Sequence, residues 1–75
     1  MTALSASAPF LRVNGQDEPL RARTVAALLA EKEISTDMRG IAVAVNGRVV
    51  PRGDWPDMPL KPGDTVEIVL ARQGG

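Results

Sequence analysis

Ile41-Ala42-Val43-Ala44-Val45-Asn46-Gly47-Arg48-Val49-Val50-Pro51 is the stretch from which the fold is read. Ile41 to Val45 is a continuous apolar run rich in branched side chains. It is too short for a stable helix and suits a strand covered on much of both faces. Asn46-Gly47 turns the chain, because a tight two-residue turn needs positive φ at both central positions. Arg48-Val49-Val50 returns, and Pro51, which has no amide hydrogen, ends the pairing. On physical grounds alone this segment is a hairpin and nothing more, so its meaning depends on what surrounds it.

Working forward, Gly53 to Pro59 holds prolines and acids and is expected to form a loop with one short helical turn around Trp55. A tryptophan there reads as an anchor pinning the loop to the body of the fold, in preference to a binding hot spot. Lys61-Pro62-Gly63-Asp64 carries Pro and Gly at the central positions of a β-turn. From Thr65 to Leu70, Val66, Ile68 and Leu70 alternate with Thr65, Glu67 and Val69, the period of a last strand.

Working backward, Thr24 can accept an orphan amide at a helix start, and Val25, Leu28 and Leu29 fall on one face at helical spacing. The spacing predicts a helix over roughly Val25 to Glu33. Ser35-Thr36-Asp37, whose side-chain oxygens compete with the helical backbone, is expected to help end it. Phe10 to Val13 followed by Asn14-Gly15 predicts a first hairpin returning through Glu18, Pro19, Leu20 and Arg21, with Pro19 forcing that arm to an edge. The order hairpin, helix, hairpin, loop, strand requires one helix to cover one face of a mixed sheet. With a right-handed crossover, the first and last strands lie side by side and parallel. This is an α+β fold, the ubiquitin-like β-grasp, with four to five strands and one main helix. The boundaries are a leader at 1–9, expected to be frayed, a body at 10–70 and a flexible Gly-Gly tail at 71–75.

Composition narrows the function. A chain of 75 residues, 44% apolar and 24% charged, makes one small globular domain without deep cavities. Nine Lys and Arg against nine Asp and Glu leave zero formal charge, so the field that draws proteins to nucleic acid or anionic lipid is missing. Phe10 and Trp55 are too few to stack bases. There is no Cys, His or Tyr, which removes the thiolate nucleophile, the imidazole base and the usual ligands of transition metals. The carboxylates are scattered among polar neighbours, so no catalytic and no metal-binding residue is assigned and the chain is read as a non-enzyme. No apolar stretch approaches the roughly 20 residues that span a bilayer, and Met1 to Pro9 lacks the features of a secretory signal. A cytoplasmic protein is expected.

The remaining candidate for chemistry is the end itself, Ala71-Arg72-Gln73-Gly74-Gly75. With glycine at about 7% usage, a terminal pair arises by chance in roughly 0.5% of chains. The plain alternative is a frayed end or a vector-derived scar. Position favours function, because the pair follows the last strand directly. A carboxylate entering another protein's nucleotide pocket gains from having no Cβ on either terminal residue. Five extended residues reach at most about 17 Å, enough for such an insertion. As an acyl-adenylate the carboxylate becomes a good electrophile, and a persulfide or thiol can then exchange oxygen for sulfur.

Thr24-Val25-Ala26-Ala27-Leu28-Leu29, Val43-Ala44-Val45-Asn46-Gly47-Arg48-Val49-Val50-Pro51-Arg52, Trp55, Leu60, Gly63-Asp64 and Gly74-Gly75 together resemble the ThiS family, sulfur carriers of thiamine biosynthesis. The resemblance spans roughly Phe10 to Gly75 and departs from the family in the leader. It implies that the Gly75 carboxylate is adenylated by a ThiF-like enzyme using ATP and magnesium, neither bound by this chain. It also implies conversion to a thiocarboxylate with sulfur from a donor such as a cysteine desulfurase persulfide, and delivery to a ThiG-like thiazole synthase. Gly74, Gln73 and Arg72 would give the end its access. Arg72 is the strongest candidate for a charged contact, ahead of Arg48 and Arg52, which as surface arginines can equally be solvated. Val69, opposite in alternation to its core neighbours, is the clearest candidate for a docking patch and can equally be covered by the leader. The rival functions are a small subunit of a molybdopterin-synthase type, a protein modifier forming isopeptide bonds, and a plain interaction module whose glycines do nothing.

Overall fold

The computed structural model describes residues 9–35 and 39–70. The elements run β1 (Phe10–Val13), β2 (Gln16–Pro19), α1 (Val25–Glu31), β3 (Ile41–Val45), β4 (Arg48–Val49), a 3-10 helix (Arg52–Asp57) and β5 (Thr65–Leu70). The five strands form one sheet in the order β2-β1-β5-β3-β4. β1 and β5 are neighbours and parallel, with Arg12 opposite Thr65 and Val13 opposite Val66. β5 is antiparallel to β3 on its other side, from Ile41 opposite Leu70 to Val45 opposite Val66. This is the mixed β-grasp sheet expected from the element order. Both edges carry a proline brake, Pro19 within β2 and Pro51 just past β4, which discourages pairing with another chain.

Both hairpins turn at Asn-Gly with positive φ at each residue, 51° and 85° at Asn14-Gly15 and 52° and 85° at Asn46-Gly47, the type I′ geometry. A two-residue turn pairs its flanks at once, so β2 begins at Gln16 opposite Val13 and ends at Pro19 opposite Phe10. The return arm thus lies two residues earlier than the sequence suggests, and Leu20 and Arg21 fall outside it. Gly63, at φ 86°, completes the turn before β5, closed by the Asp64 amide on the Lys61 carbonyl at 3.1 Å.

Thr24 caps α1 by accepting the Ala27 amide on its Oγ1 at 3.1 Å, and Val25, Leu28 and Leu29 are buried against the sheet. Each such side chain contributes about 1.5–3 kcal/mol. The helix stops at Glu31, before the Ser35 to Asp37 segment expected to end it. Glu33 adopts φ 60°, its amide bonds the Ala30 carbonyl at 2.9 Å and the Ile34 amide bonds the Leu29 carbonyl at 2.8 Å. These are the two bonds of a Schellman motif, and Ile34 packs against the core as the motif's apolar contact. Its left-handed residue is normally glycine, and a Cβ there costs about 1–2 kcal/mol. Glu33→Gly is therefore expected to stabilise the protein by about 1 kcal/mol, read as a higher urea midpoint with unchanged slope.

Trp55 joins the core from the 3-10 helix, which packs on α1. It is buried, and its Nε1 donates to the Val50 carbonyl at 2.9 Å. The strand of chain beyond the 3-10 helix returns to the start of α1: the Met58 carbonyl accepts the Val25 amide at 3.0 Å and the Leu60 amide donates to the Arg23 carbonyl at 2.9 Å. At the other end of α1, Lys32 Nζ meets Glu18 Oε2 of β2 at 2.6 Å.

Candidate functional site

β5 is the strand that leads to the terminal residues, and the fold holds it from both sides. Along its β1 side the Asn14 amide donates to the Val66 carbonyl at 2.9 Å. The Asn14 side chain then continues the ladder where β1 has turned away. Its Oδ1 accepts the Ile68 amide at 2.8 Å and its Nδ2 donates to the Ile68 carbonyl at 3.3 Å. Along the β3 side Asn46 makes a matching tie at the start of β5. Its backbone amide donates to the Thr65 carbonyl at 2.7 Å and its Oδ1 accepts the Thr65 amide at 2.9 Å. Its Nδ2 donates to Asp64 Oδ1 at 3.0 Å. Two turn residues of the same type and conformation thus clasp one strand. The sequence marks both turns, but nothing in it says that their side chains meet β5.

Val66 and Ile68 point into the core, and Glu67 and Val69 point to the face away from α1. Val69 is 58% exposed and lies opposite Ala42 of β3. Glu67 lies opposite Ala44, which in turn lies opposite Val49 of β4, itself 75% exposed. Ala42, Ala44, Val49 and Val69 therefore share one open apolar face near the end of β5, with Glu67 among them. The alternation also groups Leu70 with the core residues, but it is 48% exposed. Its partner Ile41 is the first residue of β3, so the sheet ends there and covers it from one side only.

The other candidates are not brought to this face. Arg48 pairs with Val45, whose side chain is in the core, so alternation places Arg48 on the α1 side of β4, where it is exposed. Arg52 opens the 3-10 helix with its guanidinium carbon 4.7 Å from the Trp55 ring centroid, a cation–π contact. Arg72, Gln73, Gly74 and Gly75, like the leader at 1–8, lie outside the described residues. Among the described residues no group of three or more His, Cys, Asp or Glu side chains could hold a metal ion, and no helix is long and apolar enough to cross a membrane.

The model of the ThiS family matches residues 10–75. The chain belongs to the ThiS family. A ThiS relative from Thermus thermophilus, a protein named sulfur carrier protein ThiS, is 36% identical over 63 residues, covering 84% of this chain and 95% of that protein. The crystal structure of a thiamine biosynthesis protein, ThiS from Geobacter metallireducens, is similar with a TM-score of 0.72 at 28% identity, covering 88% of this chain and 99% of that one. Both likenesses extend over nearly the whole of those ThiS chains, and β5 lies within the matched region.

Proposed function

We propose that this chain is a sulfur carrier of thiamine biosynthesis whose reactive group is the Gly75 carboxylate. The observation that carries the reading is the family match running through to residue 75, where the chain reads Gly74-Gly75 a few residues beyond the clasped strand. A carboxylate is a poor electrophile until one oxygen becomes a leaving group. A ThiF-like partner supplies that by letting the carboxylate attack the α-phosphorus of ATP with magnesium bound, releasing pyrophosphate. The outer sulfur of a persulfide then displaces AMP to give an acyl disulfide. A second thiol attacks the donor's sulfur to form a disulfide with it, and the S–S bond that breaks releases the thiocarboxylate for delivery to a ThiG-like synthase. The chain contributes no acid, base or metal ligand to these steps. It contributes an end without side chains, which fits a narrow channel, and a body that docks.

The docking surface is the open face of Ala42, Val49 and Val69, next to the point where β5 ends. Arg72 lies in the segment that must enter the partner, so its charge acts at short range on entry. Arg48 and Arg52 would contact a partner only at the margins, one turned to the other face and one stacked on Trp55.

Coexpression with an activating enzyme and a sulfur donor, followed by weighing the intact protein, tests the reading. The expected result is a mass gain equal to exchange of one oxygen for one sulfur, abolished by deletion of Gly75. The absence of any gain with every activating enzyme tried would instead assign a plain interaction module. Gly75→Ala is expected to impair the modification while leaving stability within about 0.5 kcal/mol, since among the described residues the last buried one is Ile68. A melting temperature lower by several degrees would contradict it.

A further inference from the structure

We propose that Asn46 is a site of spontaneous covalent modification, deamidation through a cyclic imide, and that the product turns its hydrogen bond to Asp64, just before β5, into a repulsion. The chemistry lies in the Asn46-Gly47 pair. Gly47 has no side chain to shield its nitrogen, and even a Cβ built there would meet nothing within 4 Å. The Gly47 nitrogen attacks Cγ of Asn46, a nitrogen–carbon bond forms, and the side-chain amide departs as ammonia with the proton from Gly47. Water then adds to the imide and opens one of its two carbon–nitrogen bonds, giving aspartate or isoaspartate. No oxidant or reductant is involved, and water is the only co-reactant.

The folded turn restrains this reaction. Both ends of the Asn46 amide are engaged, Oδ1 by the Thr65 amide at 2.9 Å and Nδ2 by Asp64 Oδ1 at 3.0 Å, so Cγ is held toward β5. Attack waits for the turn to open, and its rate follows the population of the open form. Once it has occurred, the Nδ2 donor is an oxygen and two carboxylates stand at hydrogen-bond distance. Isoaspartate also lengthens the backbone within a two-residue turn. Asn14-Gly15 carries the same chemistry, but its Nδ2 faces the neutral Ile68 carbonyl, so the damage there lacks the charge clash.

The groups around the new carboxylate can be named from each element. Asp64 comes from the turn before β5, with its Oδ2 accepting the Lys61 amide at 2.8 Å. Lys61 belongs to that same turn, Arg48 follows two residues along the hairpin, and Glu67 lies two residues beyond Thr65 on β5. The ion pairs Arg12 with Asp17 and Lys32 with Glu18 leave Asp64 out, and its carboxylate is held by the Asn46 amide and the Lys61 backbone amide.

The full chain, held at mildly alkaline pH with and without urea and then digested, is expected to gain the mass of amide-to-acid conversion at Asn46, faster in urea. Equal rates in the two conditions, or an Asn46 left intact in urea, would overturn the proposal. Asn46→Asp reproduces the product. In the folded state its carboxylate pair holds a proton more tightly than in the unfolded chain, so the penalty is full above the pair's raised value and disappears below the ordinary value of about 4. A roughly tenfold lower folding constant at neutral pH, recovering on acidification, is the expected result. A urea midpoint equal to that of the parent at every pH would refute the clash. Adding Asp64→Asn restores a donor facing the new carboxylate and is expected to recover most of the loss at neutral pH, and a double variant no more stable than Asn46→Asp would count against it. If Asn46→Asp is unfolded at neutral pH, its refolding on acidification supports the clash and its failure to refold opposes it.

Discussion

Trp55→Ala is expected to cost about 3–5 kcal/mol, the range for truncating a large buried aromatic. For a chain of 75 residues the whole stability is roughly 4–11 kcal/mol, so this one change consumes much of it and leaves a substantial unfolded fraction at moderate urea. The residue is 2% exposed and heads the fully buried side chains by size. Its loss acts in two places. The ring's volume is vacated beneath the 3-10 helix, and the Val50 carbonyl loses the Nε1 donor at 2.9 Å. The 3-10 helix packs on α1, and the chain following it supplies the Met58 carbonyl that accepts the Val25 amide, so the start of α1 loosens as well. Trp55→Phe keeps a six-membered ring in place and removes the donor together with the smaller ring, with an expected cost of about 1–3 kcal/mol. Both are measured by urea unfolding followed by circular dichroism, because the substitution removes the only tryptophan as a fluorescence probe. Equal costs for the two variants would mean that the hydrogen bond, and not the packing, carries the contribution.

What could be read in advance follows from the range over which each signal acts. The Asn-Gly turns, the Thr24 cap and the Val25, Leu28 and Leu29 stripe are decided by neighbours in the chain, and the structure has them where the residues place them. The parallel pairing of β1 with β5 is long-range, yet few ways of covering a sheet with one helix are open to this element order. Three features escaped. The motif that ends the helix puts Glu33, two residues past its last turn, where glycine is the usual signal, and only the paired bonds to Ala30 and Leu29 reveal it. The side-chain ties from Asn14 and Asn46 need the sheet order to be known first, since their partners on β5 lie 54 and 19 residues away. The open face was visible through Val69 alone. Ala42 and Val49 join it only through cross-strand register, and the same register turns Arg48 away.

Val69→Glu is expected to raise the KM of a partner enzyme for this carrier by roughly 30-fold or more while kcat at saturation stays close to that of the parent, the signature of a lost docking contact worth about 2 kcal/mol. A carboxylate at this position must be desolvated against the partner without a counter-charge of its own, and it joins Glu67 on the same face. Because Val69 is 58% exposed, the cost to folding should remain within about 1 kcal/mol, checked by the urea midpoint. Val49→Glu tests whether the patch reaches across β3 and is expected to act in the same direction, whereas Arg48→Glu, on the opposite face, is expected to change KM much less. A KM unchanged by Val69→Glu and raised by Arg48→Glu would move the docking surface to the α1 side. The KM-to-kcat split matters because the proposed reaction divides between two parts of the chain. The residues at 71–75 reach at most about 17 Å, so the body must first hold them at high effective concentration over the nucleotide pocket. On this proposal, damage to the face is expected to lower occupancy and leave the chemistry of a bound complex intact, whereas damage to Gly75 is expected to leave docking intact and impair the group on which the chemistry is proposed to occur.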